Sequence, residues 1–272
     1  MALRSDDLRP IVTLAERYRT TRAASPDLVR TLETEDYVVQ SMPSVSPTKW
    51  HLAHTTWFFE RFILQPRLPG YELRDDRYHF LFNSYYYTQG DMHARASRGL
   101  LARPTVAEIR AYRDHVDEHM LRLIDDLPDA ETEFLVTLGI HHEQQHQELM
   151  LTDIKHVLSC NPCLPAFTEL PPRRRREPLP PIGFVALPGG RHDIGVGDRC
   201  EETSGFCFDN ETPRHSVWLE PCRLADRLVT NGEYRDFIDA GGYAESAHWL
   251  ADGWAWVNAD AIDRPLYWSE DL

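Results

Sequence analysis

The chain has 272 residues, 42% of them hydrophobic and 11% aromatic, enough to bury one large core or two modest ones, which excludes a disordered or fibrous protein. Its 29 basic and 43 acidic side chains leave a formal charge of −14, and so acidic a surface repels phosphate backbones and anionic headgroups. Nucleic acid and membrane are therefore not expected partners. The amino end, Met1-Ala2-Leu3-Arg4-Ser5-Asp6-Asp7, has no signal-peptide core, and no apolar run reaches the roughly 18 residues of a membrane span. A soluble, cytoplasmic protein is expected.

Four helices are predicted in the first part of the chain. Asp6 to Thr21 carries Leu8, Ile11, Val12, Leu14, Ala15 and Tyr18 at three-and-four spacing, one amphipathic face. A second helix starts at Ser46-Pro47, cap then first-turn proline, and runs through Trp50, His54, Trp57, Phe58, Arg61 and Phe62 to Pro66. The third spans Pro104 to Leu127 and the fourth Asp129 to Leu158. With one long crossover between the second and third, these helices predict a four-helix bundle. The predicted boundaries are residues 1–160 for the bundle, 161–181 for a proline- and arginine-rich linker, and 182–272 for a second domain. In that second domain Phe184-Val185-Ala186-Leu187, His192 to Gly197 and His215 to Leu219 read as short strands. Thr230 caps a short helix that ends at Gly241-Gly242.

The densest chemistry lies in Gly139-Ile140-His141-His142-Glu143-Gln144-Gln145-His146-Gln147-Glu148-Leu149-Met150, inside the fourth helix. At about 100° per residue His142 and His146 share one face a turn apart, so both imidazoles can reach one ion. The plain alternative is a pair of bundle-interior histidines satisfied by hydrogen bonds. The second helix supplies His51 or His54 as a third imidazole, a choice that helix geometry leaves open, and bundles build metal sites from facing helices in this way. Asp153 and His156 continue the same side of the fourth helix as candidate partners of the ligands. The pair His115 and His119 on the third helix sits among charged residues and reads as a solvated face. The run His142-Glu143-Gln144-Gln145-His146 also fits the zinc-peptidase pattern, in which Glu143 would be the general base. The lack of a glycine-then-histidine continuation and the bundle context oppose that reading.

Arg95 and Arg98, a turn apart before the third helix, could pair with a carboxylate through parallel hydrogen bonds, or could be two solvated arginines. Cys160-Asn161-Pro162-Cys163 has no second pair and reads as incidental, and the Arg173 to Arg176 run reads as solvated linker. The five cysteines, an odd number in a chain needing no staples, are expected to be reduced.

Together, Ser46-Pro47-Thr48-Lys49-Trp50-His51-Leu52-Ala53-His54, Arg95-Ala96-Ser97-Arg98 and His142-Glu143-Gln144-Gln145-His146 resemble the EgtB-type sulfoxide synthases of ergothioneine biosynthesis, whose amino-terminal half is DinB-like. Leu187-Pro188-Gly189-Gly190, Asp209 to His215 and Leu228 to Ile238 resemble that family's formylglycine-generating-enzyme-like domain. The resemblance covers nearly the whole chain. It implies an α+β fold: a DinB-like four-helix bundle, then part of a mixed α/β, loop-rich sulfatase-modifying-factor domain of C-type-lectin-like architecture. It also implies a non-haem Fe(II) held by His54, His142 and His146, selecting His54 over His51. Arg95 and Arg98 are implied to take the carboxylate of the thiol substrate, and Gln145 to lie beside the second substrate. The implied reaction uses O2 to join the sulfur of γ-glutamylcysteine or cysteine to C2 of hercynine and to oxidise that sulfur to a sulfoxide. Family members extend further, and their catalytic tyrosine falls beyond Leu272. A truncated second domain, iron binding and weak or absent turnover are accordingly expected of residues 1–272. The alternatives are a DinB-like zinc hydrolase or thiol transferase, or an inactive metal- and thiol-binding fragment.

Overall fold

The computed structural model describes residues 12–126, 128–169, 179–197 and 206–268. The chain divides into two compact units, Met1–Pro171 and Pro172–Leu272. The first is helical and the second mixes helices with short strands, the expected α+β class. Leu127, Arg173 to Arg176, Cys200, Leu272 and the start of the first predicted helix lie outside the described residues.

Helix α1 (Leu14–Leu28) opens with a capping box in which Thr13 and Glu16 satisfy each other's backbone N–H groups. It runs past Thr21, where apolar periodicity predicted its end, because Thr21, Arg22 and Ser25 are buried against other helices. Pro26 sits in its last turn. A proline has no N–H for the carbonyl four residues earlier, and the carbonyl so released, that of Arg22, instead accepts from Arg113 Nη2 at 3.0 Å.

Helix α2 (Thr48–Phe59) is buried along its whole length, on every face, which marks it as the central helix of the unit. Its polar residues therefore need internal partners. Thr56 Oγ1 donates to the Leu52 carbonyl at 2.7 Å, and Lys49 Nζ donates to the carbonyls of Leu101 and Pro104. Ser46, the cap expected from Ser46-Pro47, does not cap it. Pro47 takes the position before the first turn, and the Ser46 hydroxyl is used by Arg98. The helix continues through a π turn, Glu60–Leu64, into Gln65–Arg67. Such one-turn widenings are frequent at functional sites. The crossover that follows contains a short helix, Tyr78–Phe82, and the 3-10 turns Tyr87–Gln89 and Arg95–Leu100. Helix α3 (Val106–Asp125) starts at a Thr105–Glu108 capping box, and α4 (Ala130–Ser159) at Asp129, whose carboxylate accepts from Thr132 N.

Helix α2 packs on both α3 and α4, and α1 closes the bundle against α4 and α3. Trp57, Phe59, Ile63, Tyr112, Met120, Val136, Ile140 and Met150 fill the core between them. At Gly139 the α2–α4 approach is close enough that a Cβ would lie 2.4 Å from the buried ring of Phe59. Gly139→Ala is therefore expected to lower the thermal midpoint. Overpacking costs about 1–3 kcal/mol, more than the roughly 1 kcal/mol gained from helix propensity. A midpoint unchanged or raised in scanning calorimetry would contradict this packing.

In the second unit β1 (Phe184–Leu187) pairs antiparallel with β4 (Cys222–Ala225), and β2 (Gly190–Ile194) pairs antiparallel with β3 (His215–Leu219). Helix α5 (Asn231–Asp239) follows the Thr230 cap, whose side chain and that of Glu233 form a capping box, and α6 (Ala251–Ala259) comes after it. Cys207 is disulfide-bonded, a correction to the expectation of reduced thiols throughout, because an odd count says nothing about which sulfurs the chain brings together. Cys160, Cys163 and Cys222 are free. Among the described residues no helix is long and apolar enough to cross a membrane.

Candidate metal centre

Where α2 faces α4, one nitrogen each from His54, His142 and His146 lie within 4.8 Å of one another. His142 and His146 are a turn apart on α4, with ring centroids separated by 4.7 Å, and the His54 ring lies 5.1 and 4.7 Å from them. The His54 ring is stacked by Trp50, at 4.6 Å and 12° between planes, and by Trp57, at 5.6 Å and 20°. Its Nδ1 is 2.6 Å from the Phe82 carbonyl, which can only accept, so Nδ1 carries the proton and Nε2 keeps a lone pair. His142 Nδ1 is buried with no hydrogen-bond partner. His51 lies behind the trio: its Nδ1 is 2.8 Å from His146 Nδ1, and its Nε2 is 2.9 Å from Asp153 Oδ2.

Burial sets the protonation of this cluster. It holds His54 and His146 well below the ordinary imidazole range, helped by the neighbouring imidazoles, and pulls His142 down to about 4 against the opposing charge of Glu143. Three neutral imidazoles converging from two rigid helices, one with an orphaned buried nitrogen, are a donor set suited to a divalent transition metal.

Glu143, next to His142 in sequence, points away from the histidines. Its Oε1 accepts from Ser25 Oγ at 2.6 Å and Arg113 Nη2 at 2.8 Å, and its Oε2 accepts from Arg22 Nη1 at 2.7 Å. Burial raises the carboxyl's affinity for a proton, but the two guanidinium charges and these hydrogen bonds outweigh it and leave Glu143 at about 2. A fully buried carboxylate so occupied is a poor base and does not face the histidine cluster, which removes the zinc-peptidase role for Glu143.

Arg98 lies 3.3 Å above the centre of the Trp50 ring and donates to Ser46 Oγ and Ser84 Oγ, both at 2.9 Å, while its buried Nε has no partner. Burial, reinforced by Arg95, lowers Arg98 to about 10. Arg95 donates to the Tyr85 hydroxyl and the Ser44 carbonyl, so it is anchored rather than freely solvated. Tyr85 holds a φ of 62°, sparsely populated by residues other than glycine. Gln145 is exposed on α4, one residue before His146.

Other candidates separate from this cluster. His156 Nδ1 meets Ser41 Oγ at 2.6 Å, not a histidine of the trio. His115 and His119 are half-buried with rings 4.5 Å apart, both against Tyr71, and so are packed rather than solvated as expected. Cys160 and Cys163 lie exposed after α4. Arg22, Arg113 and Asp117 carry no readable signal in the sequence because each is one charge among many on its helix, and only the tertiary fold brings them together. Trp50, four residues before His54 on one helix face, was the available sign of a stacking platform.

Residues 17–150 match the DinB superfamily and residues 167–269 match the sulfatase-modifying factor enzyme 1-like domain. The protein named hercynine oxygenase from Mycolicibacterium smegmatis is 33% identical over 95% of this chain and 58% of its own length. Its namesake from Mycolicibacterium thermoresistibile is 34% identical over 84% of this chain and 49% of its own. The formylglycine-generating enzyme of Streptomyces coelicolor is 38% identical over 24% of this chain and 19% of its own. The chain thus spans about half the length of the hercynine oxygenases it matches. The chain joins a DinB-superfamily match to a sulfatase-modifying factor enzyme 1-like match, and the relatives that it resembles over most of its length are named hercynine oxygenase.

Proposed function

We propose that this chain supplies the metal- and thiol-binding part of an O2-dependent sulfoxide synthase that joins the sulfur of γ-glutamylcysteine or cysteine to C2 of hercynine. The observation that carries the reading is the convergence of His54, His142 and His146 within 4.8 Å, in a chain whose relatives are hercynine oxygenases. These three residues would hold Fe(II), which supplies thiol activation and O2 chemistry at one point. The protein's own part is positional. Trp50 and Trp57 both stack on the His54 ring and fix its orientation, and the Phe82 carbonyl fixes its proton on Nδ1. Arg98, seated on Trp50 with an uncommitted Nε, would bind the thiol substrate's carboxylate together with Arg95. Gln145 would border the second substrate. Packing α2 fully inside the unit excludes water from the protein side of the site.

The test is anaerobic titration of the chain with Fe(II), alongside the His54→Ala variant. One equivalent bound by the wild type and lost in the variant is expected. Adding γ-glutamylcysteine or cysteine to the Co(II)-loaded chain should then give a sulfur-to-metal absorption band, weakened in Arg98→Met. No saturable Fe(II) binding by the wild type, or binding unaffected by His54→Ala, would sink the assignment; a thiol with no effect on the Co(II) spectrum would sink the substrate class. Air, hercynine and each thiol, with sulfoxide read by mass spectrometry, then decide the reaction.

A further inference from the structure

We propose that His51 and Asp153 are positioning residues that fix which nitrogen of His146 is free to bind a metal. The inference rests on the reading of His146 as a ligand and deepens it by naming a proton order within the chain. Asp153 Oδ2 receives the Ser46 backbone N–H at 2.8 Å and faces His51 Nε2 at 2.9 Å. A carboxylate oxygen in that setting only accepts, so the His51 proton sits on Nε2. Neutral His51 then presents a bare Nδ1 to His146 Nδ1, 2.8 Å away. One of two facing nitrogens must donate, and by elimination it is His146 Nδ1. The lone pair of His146 is thereby placed on Nε2, the nitrogen not engaged by His51.

The order is directional, running from the carboxylate through one imidazole to the next. Its members are well shielded: the side chain of His51 is 3% exposed and that of Asp153 14%. The opposite order would require His51 to give up its bond to Asp153 and would put the His146 proton on Nε2, where it blocks coordination. Hydrogen bonding of this kind behind a ligand also raises the basicity of its free nitrogen and fixes the orientation of its ring, effects worth roughly 10–100-fold in metal affinity.

Two measurements on the full chain test the proposal. In metal-free, 15N-histidine-labelled protein, long-range 1H–15N correlation spectra should show His146, assigned by its loss in His146→Gln, protonated at Nδ1. A proton on Nε2 overturns the inference whether or not the chain binds metal, so this arm is independent of the function proposed above. In competition titrations with Co(II), His51→Phe and Asp153→Leu should bind roughly 10–100-fold more weakly than wild type. His51→Asn, whose amide oxygen can take the place of the Nδ1 acceptor, should recover most of the affinity. Affinities of His51→Phe and His51→Asn that both match wild type within twofold, or that fall equally, would also overturn it, the second outcome marking a purely structural role.

Discussion

Glu143→Gln is expected to destabilise the first unit by about 3–5 kcal/mol, read as a shift in the guanidinium midpoint of its far-ultraviolet helical signal. The substitution keeps the shape of the side chain but removes the negative charge shared by Arg22 and Arg113, both buried. Arg22 retains Asp117 at 2.6 Å, but Arg113 has no other ion pair among those of the described residues. A buried guanidinium without a counter-charge is among the costliest defects a core can carry. The pH dependence has a definite sign. The folded carboxyl titrates at about 2, below its ordinary 4.5, so its contribution is complete above pH 4.5 and fades as pH falls from there towards 2. Wild-type stability should therefore drop across that window, and the Gln variant should show a shallower drop there. A variant as stable as wild type at pH 7 would refute the structural role assigned to Glu143.

Trp50→Ala should cost about 3–5 kcal/mol through the cavity alone, and it should loosen two parts of the site together. The indole stacks on His54 with one face region and carries the Arg98 guanidinium 3.3 Å from its centre, while its Nε1 donates to the Leu81 carbonyl at 3.1 Å. Trp50→Phe retains most of the packing but loses that hydrogen bond, so its stability should fall between Ala and wild type. Measured on protein kept folded at low temperature, Co(II) affinity and thiol binding should both weaken in Trp50→Ala. Loss of one with full retention of the other would show that the indole does not couple His54 to Arg98.

The helical half of the fold was legible because long amphipathic periods and cap chemistry coincide. The third and fourth helices, predicted as Pro104 to Leu127 and Asp129 to Leu158, form as Val106–Asp125 and Ala130–Ser159. The periodicity from Asp6 to Thr21 places helix α1 too early: the Thr13–Glu16 capping box starts it at Leu14, and its last turns, to Leu28, are held by polar contacts across the bundle that leave no apolar period in the sequence. Strand β4 and helix α6 escaped notice for a related reason: Cys222-Arg223-Leu224-Ala225 does not alternate, and Ala251–Ala259 is too short to show a period. At the site, the spacing of His142 and His146 was readable, but the choice between His51 and His54 was not. The two are three residues apart on a helix buried on all sides, so only the tertiary placement of α4 separates one in the trio from one behind it.

The opposed faces of α4 have a thermodynamic consequence. His142 and His146 look towards α2, while Glu143, between them in sequence, is bolted to α1 and α3 through Arg22 and Arg113. Rolling the helix about its axis in either direction breaks that bolt, so the angular placement of two imidazoles is set by ion pairs remote from them. The free energy of ion capture is then not drawn on to fold the bundle, unlike in zinc fingers, where binding and folding are one event. Chelation should accordingly strip such a centre and leave its architecture standing, ready to be reloaded.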